Sequence, residues 1–500
     1  MARPGAIAAC LCAVFCAAPL FAQNAGPGDD GVAVFPPTTG NAVPPRVETA
    51  PLGDIGPGAA GLLPPAMTGL PASLWIGSEP DRLVRLISQT DPKLPALMGL
   101  MRTLMLAEAD PPDPRSGADH LGARLDWLIA HGAVEEALAV VEIAGTGSPA
   151  LFQRWADLTL LLGRVEAPCR TLAAQPALSD ETDLRVFCVA LAGDWRRAAT
   201  ILGTARVLGT LSPRKIDLLE RFLDAGLSED RPRLSPPARP TPLEFRLFEA
   251  IGEPLPTGPL PLPFAVLDLS GTAGWRAEVV AGERLARQSA LPANRLLGLY
   301  TRQKPAASGG VWDRVAAFQA LDRALQSDTG AGAVGPALER VWPQMASARL
   351  LVPFSTLFAR RLSAVSLKGR AAEIARTAAF LSPGYESLAA SLDATDPETA
   401  FLAAIARGAV PPEPPAGLRH ARGVELGFSA DGPPADMARL IADRRIGEAI
   451  LEAIALVERG ADGDDAALGA GLATLRALGL ERAARRAALQ VILLDRERAL

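Results

Sequence analysis

Lysine is nearly missing from this chain. It occurs only at 93, 215, 304 and 368, arginine supplies the other cations, and the formal net charge is −5. A mildly acidic chain without a basic block argues against nucleic acid or an anionic membrane as its main partner. Histidine is scarcer still, at His120, His131 and His420. None forms an i,i+4 pair or sits beside a metal-spaced cysteine, so neither a metal site nor a cofactor is expected. A Walker loop, a Gly-x-Ser-x-Gly elbow, a His-Glu-x-x-His pair and a Rossmann fingerprint are all absent. No run after the amino terminus is long and apolar enough to span a bilayer. Strand-like alternation is almost absent too, which leaves an all-α chain.

Cysteine is short in a different way. Five occur, but Cys10, Cys12 and Cys16 fall in residues 1–22, which read as a secretory signal peptide. Arg3 gives its positive start, Ala6 to Ala18 is apolar without a charge, and Leu20-Phe21-Ala22 before Gln23 is a cleavage site. Ile7-Ala8-Ala9-Cys10 lies too near the amino terminus to serve as a lipoprotein box. A periplasmic or secreted protein follows. Abundant alanine, glycine, proline and arginine fit a GC-rich bacterial genome. Export leaves Cys169 and Cys188, and an even pair in an oxidising compartment is most simply a disulfide.

What the chain has is a repeat. Gly132-Ala-Val-Glu-Glu-Ala137, Gly163-Arg-Val-Glu-Ala-Pro168 and Gly193-Asp-Trp-Arg-Arg-Ala198 place glycines 31 and then 30 residues apart. Between them run apolar stripes at helical spacing: Leu151, Trp155, Leu158 and Leu162, then Leu184, Phe187, Cys188 and Leu191. Glycine lets a helix end at positive φ, and alanine five residues later lets two helices cross closely. Gly479 and Ala484 repeat the signal near the carboxyl terminus. A hairpin cannot bury its stripe alone, so neighbours must stack. The same geometry brings Cys169 and Cys188 onto adjacent antiparallel helices.

Residues 117–228 resemble the tetratricopeptide family, which has a glycine before the second helix of each unit and a small residue five later. Gly132/Ala137 and Gly193/Ala198 match, while Gly163/Pro168 matches at the glycine alone. The resemblance implies a right-handed superhelix (α-solenoid) of helical hairpins with a groove for a peptide or protein, and no catalytic residues.

The expected order is a signal peptide at 1–22, a disordered linker at 23–72, a helical-repeat domain at 73–228, a proline-rich connection at 229–264 and a second helical-repeat domain at 265–500. Glycine and proline exceed a third of 23–72, against roughly 12% in average usage, so too little surface can be buried to offset chain entropy. One anion site is suggested: Arg302, Lys304, Ser308, Gly309 and Gly310 precede a helix that starts at Val311. Glu386-Ser387 resembles the catalytic pair of lytic transglycosylases but lacks that family's glycine-rich continuation, and Asp462-Gly-Asp464-Asp465 reads as a helix cap. The reading is a non-catalytic exported scaffold for another envelope protein or peptide. The competing class is a cell-wall glycan binder or an envelope enzyme.

Overall fold

A computed structural model describes residues 56–224, 232–327, 331–392 and 396–499. The expected signal peptide at 1–22 and the expected linker as far as residue 55 lie outside them. Asp54–Leu500 forms one compact unit.

Among the described residues there are 25 α-helices and no strand, only an isolated bridge between Leu63 and Ala107. α1 (Pro65–Thr68), α2 (Pro80–Gln89) and α3 (Pro95–Leu106) lead into three hairpins: α4 (Gly117–Ala130) with α5 (Val134–Ala144), α6 (Pro149–Leu161) with α7 (Glu166–Ala174), and α8 (Thr182–Leu191) with α9 (Trp195–Leu208). α10 (Pro213–Leu223) ends that run, and α11 (Pro242–Ala250) and α12 (Ala265–Asp268) sit among the prolines. Then come α13 (Trp275–Arg287), α14 (Ala293–Thr301), α15 (Val311–Gln326), α16 (Ala331–Ser347), α17 (Leu351–Ser363), α18 (Gly369–Leu381), α19 (Tyr385–Ala390) and α20 (Pro397–Arg407). The chain finishes with α21 (Ala421–Ser429), α22 (Ala435–Ala442), α23 (Ile446–Ala461), α24 (Asp465–Ala477) and α25 (Glu481–Ala499). Helices next to each other in the chain pack as pairs, as α8 does on α9 and α17 on α18.

Each repeat glycine ends its helix in the same way. Gly132, Gly163, Gly193 and Gly479 have φ of 79°, 79°, 87° and 76°. The next N–H then reaches back to a carbonyl five residues earlier, as Ala133 N does to Leu128 O at 2.9 Å and Leu480 N to Leu475 O at 2.9 Å. This Schellman arrangement satisfies carbonyls the helix end would otherwise leave bare. Ala137, Ala198 and Ala484 are fully buried where the helices cross.

The same turn recurs without glycine. Ser289, Arg349 and Arg444 have φ of 55°, 57° and 60°, followed by Ala290 N to Leu285 O, Leu350 N to Met345 O and Arg445 N to Leu440 O, each at 2.9 Å. Arg444 even has buried Ala449 five residues on. α21 escapes the sequence pattern for the opposite reason, because Gly423 and Gly427 weaken its helix signal. Both are needed for packing: a Cβ on Gly427 would stand 2.7 Å from Leu472 Cβ, and one on Gly423 2.9 Å from the Asp465 carbonyl.

The beginning and end of the unit meet. Trp75 packs where Gly447 has no side chain, a Cβ there standing 2.4 Å from the indole, and Gly447 N donates to Leu74 O at 2.8 Å. Arg82 pairs with buried Glu448 and with Glu452. The first N–H groups of α3 lack a local cap; Glu458 accepts from Leu94 N at 3.1 Å and Gln490 from Ala96 N at 2.7 Å. Nearest-neighbour stacking of hairpins does not lead one to expect these contacts.

Residues 56–72 correct the expected linker. Leu62 N and Leu63 N donate to Leu106 O, Glu108 N returns a bond to Leu63 O, and Ala60 and Leu70 are buried. Composition missed this because a few backbone bonds and buried groups suffice to order a segment rich in already stiff prolines.

Cys169 on α7 and Cys188 on α8 form a disulfide, with Cα atoms 4.9 Å apart. Closing this short loop contributes about 3 kcal/mol in the chain-entropy model. We expect the reduced protein to unfold at correspondingly lower urea than the oxidised protein. Arg444→Gly should raise stability by about 1 kcal/mol by removing left-handed strain. Gly132→Ala should lower it by about 2 kcal/mol or more, since its Cβ would stand 2.6 Å from Leu285 Cδ2 at positive φ. Urea midpoints of the two variants test both signs.

Candidate functional site: a cleft beside the proline-rich segment

The repeat turns at Gly132 and Gly163, the proline-rich segment and α13 enclose a cleft of about 1510 Å³. Arginines build its walls. Arg246 on α11 donates to the end carbonyls of α6, Nε to Leu160 O at 2.7 Å and Nη2 to Leu161 O at 2.8 Å, and pairs with Glu249 at 2.6 Å. A cation at that helix end complements its dipole. Arg284 on α13 donates to Thr257 O at 3.2 Å and Leu260 O at 2.6 Å, and burial lowers its pKa. Thr257 in turn donates to Asp268 Oδ2 at 2.6 Å. The prolines are thus pinned as a wall. Arg102 on α3 braces the back, bonding Ser289 O at 2.9 Å and pairing with Glu136.

The cleft surface is mixed. Val280 is exposed on α13, while Glu135, Arg276 and Arg295 line the space with no ion pair among the described residues. Trp275 offers no open aromatic platform: it is buried, its ring lies 4.7 Å from that of Trp312, and its Nε1 donates to Leu299 O.

The expected anion site is divided. Arg302 pairs with buried Glu278 on α13, and with Lys304, Arg323 and Arg361 it lines a separate open cleft of about 760 Å³. Ser308, Gly309 and Gly310 do not line that cleft. At the start of α15 the Gly309 N–H is taken by Asp313 Oδ1 at 2.9 Å, and that carboxylate would repel an anion. Adjacency in sequence suggested a site, and one acidic residue in the first helical turn fills it.

Other singled-out residues have plain partners. Glu386 is held between the Tyr385 hydroxyl at 2.9 Å and Arg485 at 3.5 Å, and Ser387 Oγ donates to Gly384 O. Asp464 caps α24 through Ala467 N at 3.0 Å. His131 lies against Trp127 with ring centroids 4.0 Å apart and meets the Trp127 carbonyl at 2.8 Å. His120 was not a candidate, yet its surroundings are the most unusual. It is fully buried edge-on to Trp75, and neither ring nitrogen has a hydrogen-bond partner. Nearby Arg124 is also buried and donates to Met105 O and Ala107 O at the end of α3. Burial, reinforced by that cation, pushes the His120 pKa from 6.5 to about 3. Burial pushes Asp157 on α6 the other way, from 3.8 to about 6, with Asp183 and Glu181 adding to it.

No protein-family model matches the chain, and comparison with curated proteins and with solved structures yields no match either. Function is therefore argued from the site alone.

The two displaced groups give opposite pH effects. Neutral His120 contributes stability that is complete above pH 6.5 and is lost as pH falls towards 3. Protonated Asp157 contributes stability that is complete below pH 3.8 and is lost as pH rises through 6. Each acts at about 1.4 kcal/mol per pH unit, so between pH 3.8 and 6 they largely cancel. Relative to the native chain, His120→Phe should gain stability as pH falls in that window and Asp157→Asn should gain it as pH rises. Chemical denaturation at several pH values checks this, and parallel curves for all three proteins would contradict it.

Proposed function

We propose that this protein is a binding scaffold of the bacterial cell envelope. In this reading it is exported by its amino-terminal signal, its hairpins wind as a right-handed superhelix, and its cleft holds an extended segment of another envelope protein. The observation that carries the proposal is the cleft of about 1510 Å³, larger than the roughly 300–1,000 Å³ usual for a small ligand. Exposed Val280 beside Arg276, Arg295 and Glu135, which form no ion pair among the described residues, suits a peptide, which presents apolar side chains and charges of both signs. The disulfide fits an oxidising compartment. No helix among the described residues is long and apolar enough to cross a membrane.

The glycan or enzyme reading finds less support. The cleft lacks an open aromatic face for a sugar ring. The carboxyl groups whose pKa is raised, Asp157 and Glu458, do not line it.

A photoreactive residue in place of Val280 tests the reading in the cell. The expected outcome is one or two reproducible envelope proteins joined to the chain there, with the adduct lost on Arg276→Glu/Arg295→Glu. Glycan strands captured without protein would overturn it.

A further inference from the structure

Trp195 has 48% of its surface exposed, and it has company. Leu191 is 43% exposed, Leu208 69% and Val207 86%. All four belong to the α8–α9 hairpin, and α9 packs chiefly on α8 and α10. Trp195, Ala199, Gly203 and Val207 recur every four residues along the open side of α9, the ridge spacing that seats in the groove of a crossing helix. A Cβ on Gly203 would meet nothing within 4 Å. Thr200 and Thr204 flank this face with their hydroxyls turned back to the carbonyls of Arg196 and Thr200, both at 2.9 Å. Their polarity is thereby spent on the helix itself.

The face is also held in place. The Trp195 ring lies 5.9 Å from Phe222, which lies 5.4 Å from buried Phe187. The Cys169–Cys188 disulfide fastens α8 to α7. A rigid, exposed tryptophan loses little freedom on binding, which is why such residues dominate interface energetics.

Charge indicates what covers the face. Arg196 and Arg197 occupy the first turn of α9 behind a single carboxylate, the N-cap Asp194, which accepts from Arg197 N at 3.1 Å, and neither guanidinium forms an ion pair among the described residues. Two cations at the positive end of a helix dipole outnumber the one carboxylate there, and further carboxylates from outside would relieve them. We propose that the outer face of α9 is a docking surface for an amphipathic helix of a second protein, its apolar stripe on Trp195 and Val207 and its acidic flank on Arg196 and Arg197. The surface shares no residue with the cleft and stands whether or not the cleft binds a peptide.

The test places a photoreactive residue at Val207 of the full exported chain in its own cell, and sequences the peptide joined to it. The expected product joins Val207 to an amphipathic helical segment bearing glutamate or aspartate along one flank. Arg196→Glu/Arg197→Glu should reduce that product by about tenfold or more, while leaving products formed from Val280 unchanged. Circular dichroism confirms that the variant, altered only at exposed positions, is folded. A product with a second copy of the chain, a product with lipid, a product insensitive to the charge reversal, or no product at all would each overturn the proposal.

Discussion

The three repeat hairpins, and several later helix pairs among the described residues, depend on one residue held in the left-handed region of the backbone. That residue stops the first helix, and the 6→1 bond behind it sets the direction of the second. Glycine holds eight such positions, Gly132, Gly163, Gly193, Gly209, Gly252, Gly408, Gly463 and Gly479, and Ser289, Arg349 and Arg444 hold three more. The left-handed conformation costs an L-residue about 1–2 kcal/mol, so the second set persists only because packing repays it. Leu285, Met345 and Leu350, which take part in these turns, are all essentially buried. Tertiary burial stabilises the turns that local chemistry disfavours.

This separates what the residues disclose from what they conceal. Helix positions were legible through most of the chain, because apolar spacing is a local property: α13, α15 and α20 lie where the stripes at Trp275, Val311 and Pro397 put them. The repeat was legible at Gly132, Gly163, Gly193 and Gly479. It was hidden where serine or arginine takes the same conformation, since nothing in an arginine announces positive φ. α21 was hidden because its glycines lower helix propensity while allowing close approach to α24. The two effects have opposite signs in sequence and in structure.

The site shows the same division more sharply. Arg302, Lys304, Ser308, Gly309 and Gly310 are near one another in the chain, yet the fold sends the cations to one cleft and the glycines to another surface. The large cleft draws on residues from 132 to 295. No spacing rule links Gly132 to Arg284, and the prolines that form a wall between them looked like a connection. Their part becomes visible only when Arg246 and Arg284 are seen bonding carbonyls of α6 and of the proline segment.

Arginine is the common thread, and this gives the near absence of lysine a structural meaning. Arg124, Arg246, Arg284 and Arg287 all donate to backbone carbonyls of segments remote from their own helix. A planar guanidinium can serve two carbonyls at once and stays charged when buried, whereas an ammonium binds as a point and loses its proton more readily. An all-helical unit has many bare carbonyls at its helix ends. An arginine from elsewhere adds to what the turn supplies, as Arg246 joins Gly163 N on Leu160 O, and it ties separate helices together in doing so. Arg196 and Arg197 break this pattern. They stand at the start of a helix, where there are N–H groups and no bare carbonyls, and neither guanidinium has a carboxylate partner among the described residues. Arg276 and Arg295 likewise form no ion pair among the described residues, and such arginines, left out of the internal joints beside exposed apolar side chains, are suited to carboxylates of another molecule.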